Sequence, residues 1–204
     1  MGNSLGKLRR ILSMVLLPLG LAAPLAAASF GNLGETLEQA KQTEFFRFFH
    51  LEQSQVSKSD GSTVTAFKPT GEKFRPLVTI KVTTDGASRI LALEMALARS
   101  FIDDPRDGVF ARDIAKSFLQ AALPAPRDWE TTDLINEIQF QATSTMTIIK
   151  HPANEPKLPE KPTPGYLTYL GKQPSYEHRL RDYLLRLVNE TEGAAAVLVF
   201  SVHR

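Results

Sequence analysis

The 204-residue chain contains no cysteine. It therefore has no disulfide framework, no Cys-ligated zinc or iron–sulfur site and no thiol nucleophile. Hydrophobic residues make up 43% of the chain and charged residues 23%, and these ordinary values exclude a wholly disordered, collagen-like or multi-span membrane chain. A chain of this length is expected to form one globular domain with accessory segments.

Local signatures of catalysis are also missing. The sequence has no P-loop, no dinucleotide fingerprint, no G-x-S-x-G elbow and no H-E-x-x-H pair. No histidine has a second one at the short spacing of a metal site; the four are His50, His151, His178 and His203. We therefore expect no metal ion and no cofactor.

The turn from Asp103 to Gly108 resembles part of a calcium loop. Pro105 and Ile114, however, occupy two positions where such a loop needs ligands. We interpret the segment as a turn in which Asp107 caps the next helix.

The first thirty residues have the pattern of a secretory signal. Three cations precede the apolar run of residues 11–25, namely Lys7, Arg9 and Arg10. Ala26 and Ala28 then supply the A-x-A pattern, so residues 1–28 are predicted to be a signal peptide that is cleaved after Ala28. The protein is expected to be periplasmic or extracellular. The alternatives are a mitochondrial presequence and an uncleaved anchor, and only the anchor would hold the protein at a membrane.

Removal of the signal changes the charge balance. The whole chain has 24 basic and 22 acidic residues and a net charge of +2. Without the three cations of the signal, 21 basic and 22 acidic residues remain, which gives a net charge of −1. Nucleic acid is therefore not an expected partner, whereas a protein partner in the cell envelope is compatible with this charge.

Residues 29–204 are predicted to form a single α+β domain. Hydrophobic periodicity and turn signals predict the following elements in its first half: a helix from about Glu35 to Thr43 that is followed by a strand, a hairpin of strands at 63–67 and 76–84, a helix from Asp85 through about Ile102, and a helix at 109–123.

The second half is predicted to contain a strand at 138–149, a proline-rich loop at 151–165, a strand from Tyr166 to Leu170, a helix from Tyr176 to Val188 and a buried strand from Ala194 to Val202. Clustered strands interrupted by helices predict a mostly antiparallel sheet packed on one side by about three amphipathic helices.

Glu94 is the most unusual residue of this pattern. On the predicted helix it lies in the middle of an apolar stripe that includes Leu97 and Phe101. A carboxylate on a buried face is costly unless it is neutralised, hydrogen-bonded or paired. Glu94 is therefore a candidate for an acid, a base or the floor of a ligand pocket. Alternatively, it pairs with an arginine or reaches water.

Two histidines complete the set of candidate ligand-binding or partner-binding residues. His178 lies four residues before Asp182, a helical spacing at which the carboxylate would orient the imidazole or form a solvated pair with it. His50 follows four phenylalanines, a setting typical of a core or edge residue.

These observations predict an exported envelope protein that acts as a non-enzymatic binding or protein-interaction module. The alternative is a secreted hydrolase-like enzyme whose site is built from Glu94 and a histidine.

Overall fold

The computed structural model describes residues 33–123, 163–180, 182–192 and 195–204. The predicted signal peptide, the predicted strand at 138–149 and the part of the proline-rich loop up to residue 162 lie outside the described residues.

Five helices and seven strands lie within the described residues. In chain order they are α1 (Leu37–Lys41), α2 (Glu44–Phe48), β1 (Leu51–Ser59), β2 (Ser62–Pro69), β3 (Val78–Thr84), β4 (Ile90–Ala98), α3 (Arg99–Ile102), α4 (Gly108–Ala122), α5 (Pro164–Tyr169), β5 (Ser175–Leu180), β6 (Tyr183–Glu192) and β7 (Ala195–His203).

The seven strands form one sheet in the order β1-β2-β3-β4-β7-β6-β5, and every neighbouring pair is antiparallel. The sheet consists of two meanders, β1–β4 and β5–β7, which join where β4 pairs with β7. Asp60 and Gly61, with φ of 42° and 79°, make the tight turn between β1 and β2. The α+β class with an antiparallel sheet is therefore confirmed.

The hydrophobic core lies on one face of this sheet. Ile80, Met95, Phe200 and Leu187 are aligned across β3, β4, β7 and β6, and all four are fully buried. Helical residues join the same cluster, among them Phe45, Phe101, Phe118 and Tyr169. Packing of helix residues against alternate strand positions is what a two-layer α+β core requires.

A smaller buried cluster lies on the opposite face of the sheet. It consists of Ala96, Val197 and Val199, with Val188 packed against them. The helices were expected to pack on one side of the sheet only. This stays a prediction, because residues 124–162 lie outside the described part of the chain.

The helix expected from Asp85 to Ile102 is wrong. Residues Ile90–Ala98 form strand β4, and only Arg99–Ile102 are helical. Asp85 caps a turn instead, because its carboxylate accepts hydrogen bonds from the backbone N–H groups of Ala87 and Arg89, at 2.9 and 2.8 Å. Alanine, leucine, methionine and glutamate favour helices, but pairing with β3 and β7 decides the outcome here.

Three further elements differ from the sequence-based expectation. The segment that follows α1 was expected to be a strand but is helix α2. The strand expected from Tyr166 to Leu170 is helix α5, which Thr163 caps by accepting a hydrogen bond from the N–H of Tyr166 at 3.2 Å. The helix expected from Tyr176 to Val188 is the β5–β6 hairpin.

Other expectations are confirmed. The predicted hairpin corresponds to β2 and β3, the helix at 109–123 corresponds to α4, and the last apolar segment is β7, an interior strand of the sheet.

Candidate functional site

Glu94 lies on the face of β4 that points away from the main core. Its register partner on β3 is Lys81, whose Nζ is 2.9 Å from Glu94 Oε1. The two side chains are 35% and 37% exposed. The expected position in a buried apolar stripe is therefore wrong, because a strand turns successive residues to opposite faces whereas a helix would have grouped Glu94 with Leu97.

His178 lies on the edge strand β5 and faces the core side of the sheet. Its register partner is the buried Leu185, and its Nδ1 is 3.1 Å from the hydroxyl of Tyr176. The helical pairing with Asp182 is wrong, because His178 is on a strand and Asp182 is in the turn that follows it.

His50 connects α2 to β1 in the left-handed region, with φ of 45°. Its backbone N–H donates to the carbonyl of Arg47 at 3.3 Å, and its carbonyl accepts from the N–H of Thr70 at 3.1 Å. Residues with side chains rarely adopt this conformation outside helix ends and turns, and histidine adopts it more often than most. The strained link turns the chain so that β1 starts beside α2.

A groove of about 470 Å³ opens at this link. Its walls come from α1, α2, the start of β1 and the end of β2, and they include Lys41, Phe46, Arg47, His50, Phe67 and Thr70. The volume is within the range of small-molecule sites, roughly 300 to 1,000 Å³.

Charges surround the groove, and most of them are paired. Lys41 Nζ is 2.7 Å from Glu38 Oε1, and Glu52 Oε2 is 3.7 Å from Arg75 Nη1. Within the part of the chain that the structure describes, the Arg47 side chain has neither an ion pair nor a hydrogen bond. The groove therefore has one guanidinium whose donors are available to a ligand.

The three predicted candidates do not come together. His50 precedes β1 and His178 is on β5, so the two histidines are near opposite edges of the sheet, about 29 Å apart for six strand spacings. Glu94 pairs with Ser201 of β7, whereas His178 pairs with Leu185 of β6, which itself pairs with Val202 of β7. Because Ser201 and Val202 are consecutive, Glu94 and His178 project from opposite faces of the sheet.

Among the described histidines, His203 is the one that the strand register brings nearest to Glu94. Ser201 lies directly opposite Glu94, and His203 is two residues further along β7 on the same face. Diagonal neighbours of this kind are about 7–8 Å apart. The sequence did not indicate this proximity, because the last strand was expected to end at Val202 and the segment that contains Glu94 was expected to be a helix.

A second polar cluster joins α3 to α5. Arg99 donates to the carbonyl of Tyr169 and to the carboxylate of Asp103 at 3.2 Å, and its guanidinium carbon is 4.2 Å from the centre of the Tyr169 ring. The Tyr169 hydroxyl donates to Asp103 at 2.5 Å. Arg99 Nε is buried and has no hydrogen-bond partner among the residues that the structure describes. These contacts hold two helices together that are far apart in sequence.

The acidic turn before α4 is also fully engaged. Asp104 accepts from the backbone N–H groups of Arg106 and Asp107 at 2.7 and 2.9 Å, and these bonds lower the pKa of its carboxyl. Asp107, which was expected to cap α4 with its side chain, instead pairs with Lys73 at 2.7 Å. Among residues 33–123 and the later described segments, no three metal-ligating side chains converge.

Comparisons with protein-family models, with curated proteins and with solved structures find no match to this chain. Among the described helices, none is long and apolar enough to cross a bilayer.

Proposed function

We propose that this protein is an exported binding or protein-interaction module of the cell envelope, and that the groove at His50 is its binding site. The observation that carries the proposal is the groove itself, which combines an apolar floor, polar walls and an arginine with available donors.

The geometry of Glu94 favours this proposal over a secreted hydrolase-like enzyme. A general acid or base needs a partner within hydrogen-bond reach or one water away. Glu94 is paired with Lys81 and lies on the other face of the sheet from His178. A carboxylate in a partly exposed cross-strand ion pair has an ordinary structural role.

Two finer features belong to the same proposal. We propose that the helices pack on one side of the sheet, so that part of the other face, around Lys81 and Arg186, is open to a partner. We also propose that the chain is exported and cleaved after Ala28, with nucleic acid absent from its partners.

Binding at the groove is testable by NMR. We would titrate the nitrogen-15-labelled protein with a library of small organic compounds and record both amide shifts and the chemical fate of each compound. The expected result is that shifts cluster at Arg47, His50 and Thr70 while the compounds stay intact. Turnover of a compound together with shifts around Glu94 and His203 would support the enzyme instead.

Export is tested separately. N-terminal sequencing of the protein recovered outside the cytoplasm should give Ser29 as the first residue. A sequence that starts at Met1 or Gly2 on membrane-bound protein would show an uncleaved anchor.

A further inference from the structure

Two aromatic rings form the floor of the His50 groove. Phe46 and Phe67 pack edge to face, with ring centroids 5.0 Å apart and an angle of 88° between the rings. Both side chains are almost completely buried, at 4% and 2% exposure, so they are fixed by the core. The rings therefore reach the groove only by their edges, and the partly buried Leu51, which also lines the groove, supplies apolar side-chain surface that a ligand can contact.

The rim of the groove has the opposite character. Arg47 and His50 are exposed at its edge, and Thr70 adds a hydroxyl. The ion pairs of Lys41 and Glu52 leave Arg47 as the cation with available donors. A guanidinium binds carboxylate, phosphate and sulfonate oxygens through two parallel hydrogen bonds.

The floor and the rim together define one class of ligand. We propose that the groove binds an amphipathic organic anion, in which a single acidic head group is attached to an aromatic or aliphatic body. The head group pairs with Arg47 beside His50, and the body lies against Leu51 and the edges of the Phe46 and Phe67 rings. This inference rests on the proposed binding function and specifies the ligand of that same site.

Neither half of such a ligand is expected to bind well alone. An exposed arginine gains little from a free inorganic anion, because water competes for the same hydrogen bonds. A neutral aromatic molecule gains contact with the floor but leaves the guanidinium without a partner. The combination places the ion pair at the edge of an apolar surface, where water competes less.

A matched pair of fluorescent probes separates the two contributions. Anilinonaphthalene sulfonate carries an aromatic body and an anionic head, whereas phenylnaphthylamine has nearly the same body without the charge. We expect one sulfonate probe to bind per chain, about 10-fold more tightly than the neutral probe. Near-ultraviolet circular dichroism recorded in the same samples shows that the protein is folded.

Variants locate the site. Arg47→Gln should weaken binding of the sulfonate probe about 5- to 10-fold and leave the neutral probe unchanged. His50→Asn keeps a residue that tolerates the left-handed conformation and removes the imidazole, so it should fold normally and weaken the sulfonate probe less. Lys58→Gln, an exposed cation at the far end of β1, is the matched control and should bind as the parent does.

Displacement of the probe tests the need for both halves of the ligand. Phenyl phosphate should displace the sulfonate probe at a concentration at which inorganic phosphate does not. Equal displacement by inorganic phosphate would overturn the proposal in favour of a simple anion site. An unchanged affinity in Arg47→Gln would overturn the assignment of the head group.

The outcomes also distinguish this inference from the proposed function. If both probes bind equally tightly at the groove, the binding module stands and the anionic ligand is wrong. If neither probe binds and the compound library shifts no groove residue, the proposed function fails as well.

Discussion

The two faces of β4 differ in what they contact. Leu93, Met95 and Leu97 are fully buried against the main core, whereas on the other face Ala96 is buried in the small cluster and Ala92 and Glu94 are only partly covered. One nine-residue strand therefore contains both fully buried side chains and a carboxylate that reaches water. The position of Glu94 in the sequence therefore does not reveal its burial until the element type is known.

The two faces are expected to differ in energy as well. Burying apolar area contributes about 25 cal/mol per Å², while a partly exposed ion pair contributes about 0–1 kcal/mol. Substitutions of buried residues on the core face should therefore cost several times more stability than substitutions of the ion-paired residues on the Glu94 face.

The largest expected effect is that of Phe200→Ala on β7, beside Met95. Phe200 is fully buried, so the change should lower the free energy of unfolding by about 3–5 kcal/mol in urea denaturation. The matched control is Arg186→Ala on the opposite face, which should cost less than about 1 kcal/mol. Equal costs for the two variants would show that the two faces of the sheet do not differ in their contribution to stability.

The Arg99 cluster should give an intermediate effect. Arg99→Met keeps most of the side-chain volume but removes the bonds to the Tyr169 carbonyl and to Asp103. We expect a loss of about 2 kcal/mol in the free energy of unfolding, with faster hydrogen exchange in α5. Exchange that accelerates equally in β1 and in α5 would argue against a local link between α3 and α5.

The Glu94 face should give a small effect. Glu94→Gln and Lys81→Met should each change stability by less than about 1 kcal/mol, and their coupling in a double-mutant cycle should be about 0.2–1 kcal/mol. A loss above about 2 kcal/mol would show a carboxylate that the fold depends on, and would make the two faces energetically similar.

The smallest effect should come from Asp104, which lies outside the sheet. Two backbone N–H donors lower its pKa in the folded protein below the ordinary value of 3.8. Its stabilising contribution is therefore fully present above the unfolded pKa and is lost as the pH falls through the lowered folded pKa. In urea denaturation, the parent should have a larger free energy of unfolding than Asp104→Asn above about pH 5, and this difference should shrink as the pH falls further. A difference in the free energy of unfolding that does not change with pH would exclude this linkage.

The sequence predicted those elements whose pattern fits one period only. In β3, Val78, Ile80 and Val82 alternate strictly with polar residues, and α4 has a clear helical stripe. The pattern of β4 fits both the helical and the strand period. Its residues are good helix formers, and apolar residues occur on each of the two faces of the strand. The β5–β6 segment was predicted to be a helix for a different reason. The hairpin turn near Asp182 interrupts the alternation of apolar and polar residues, so that the apolar residues on either side of the turn have a helical spacing.

The candidate site was predicted only in part. His50 was singled out for its phenylalanine neighbours, and it does line the groove. Arg47 and Thr70 were not singled out. They line the same groove only because residues expected to form a strand form helix α2, and because β2 ends beside that helix. A groove of this kind forms where segments that are distant in sequence come together. A single short stretch of the sequence therefore cannot reveal it.

The junction between β4 and β7 also has a consequence for folding kinetics. Ala98 pairs with Val197, about 100 residues further along the chain, whereas every other strand pair in the described sheet connects consecutive strands. Closing so long a loop is entropically costly, and non-local contacts slow folding. The two meanders should therefore form early and separately, and their docking along β4 and β7 should set the rate at which the native protein appears.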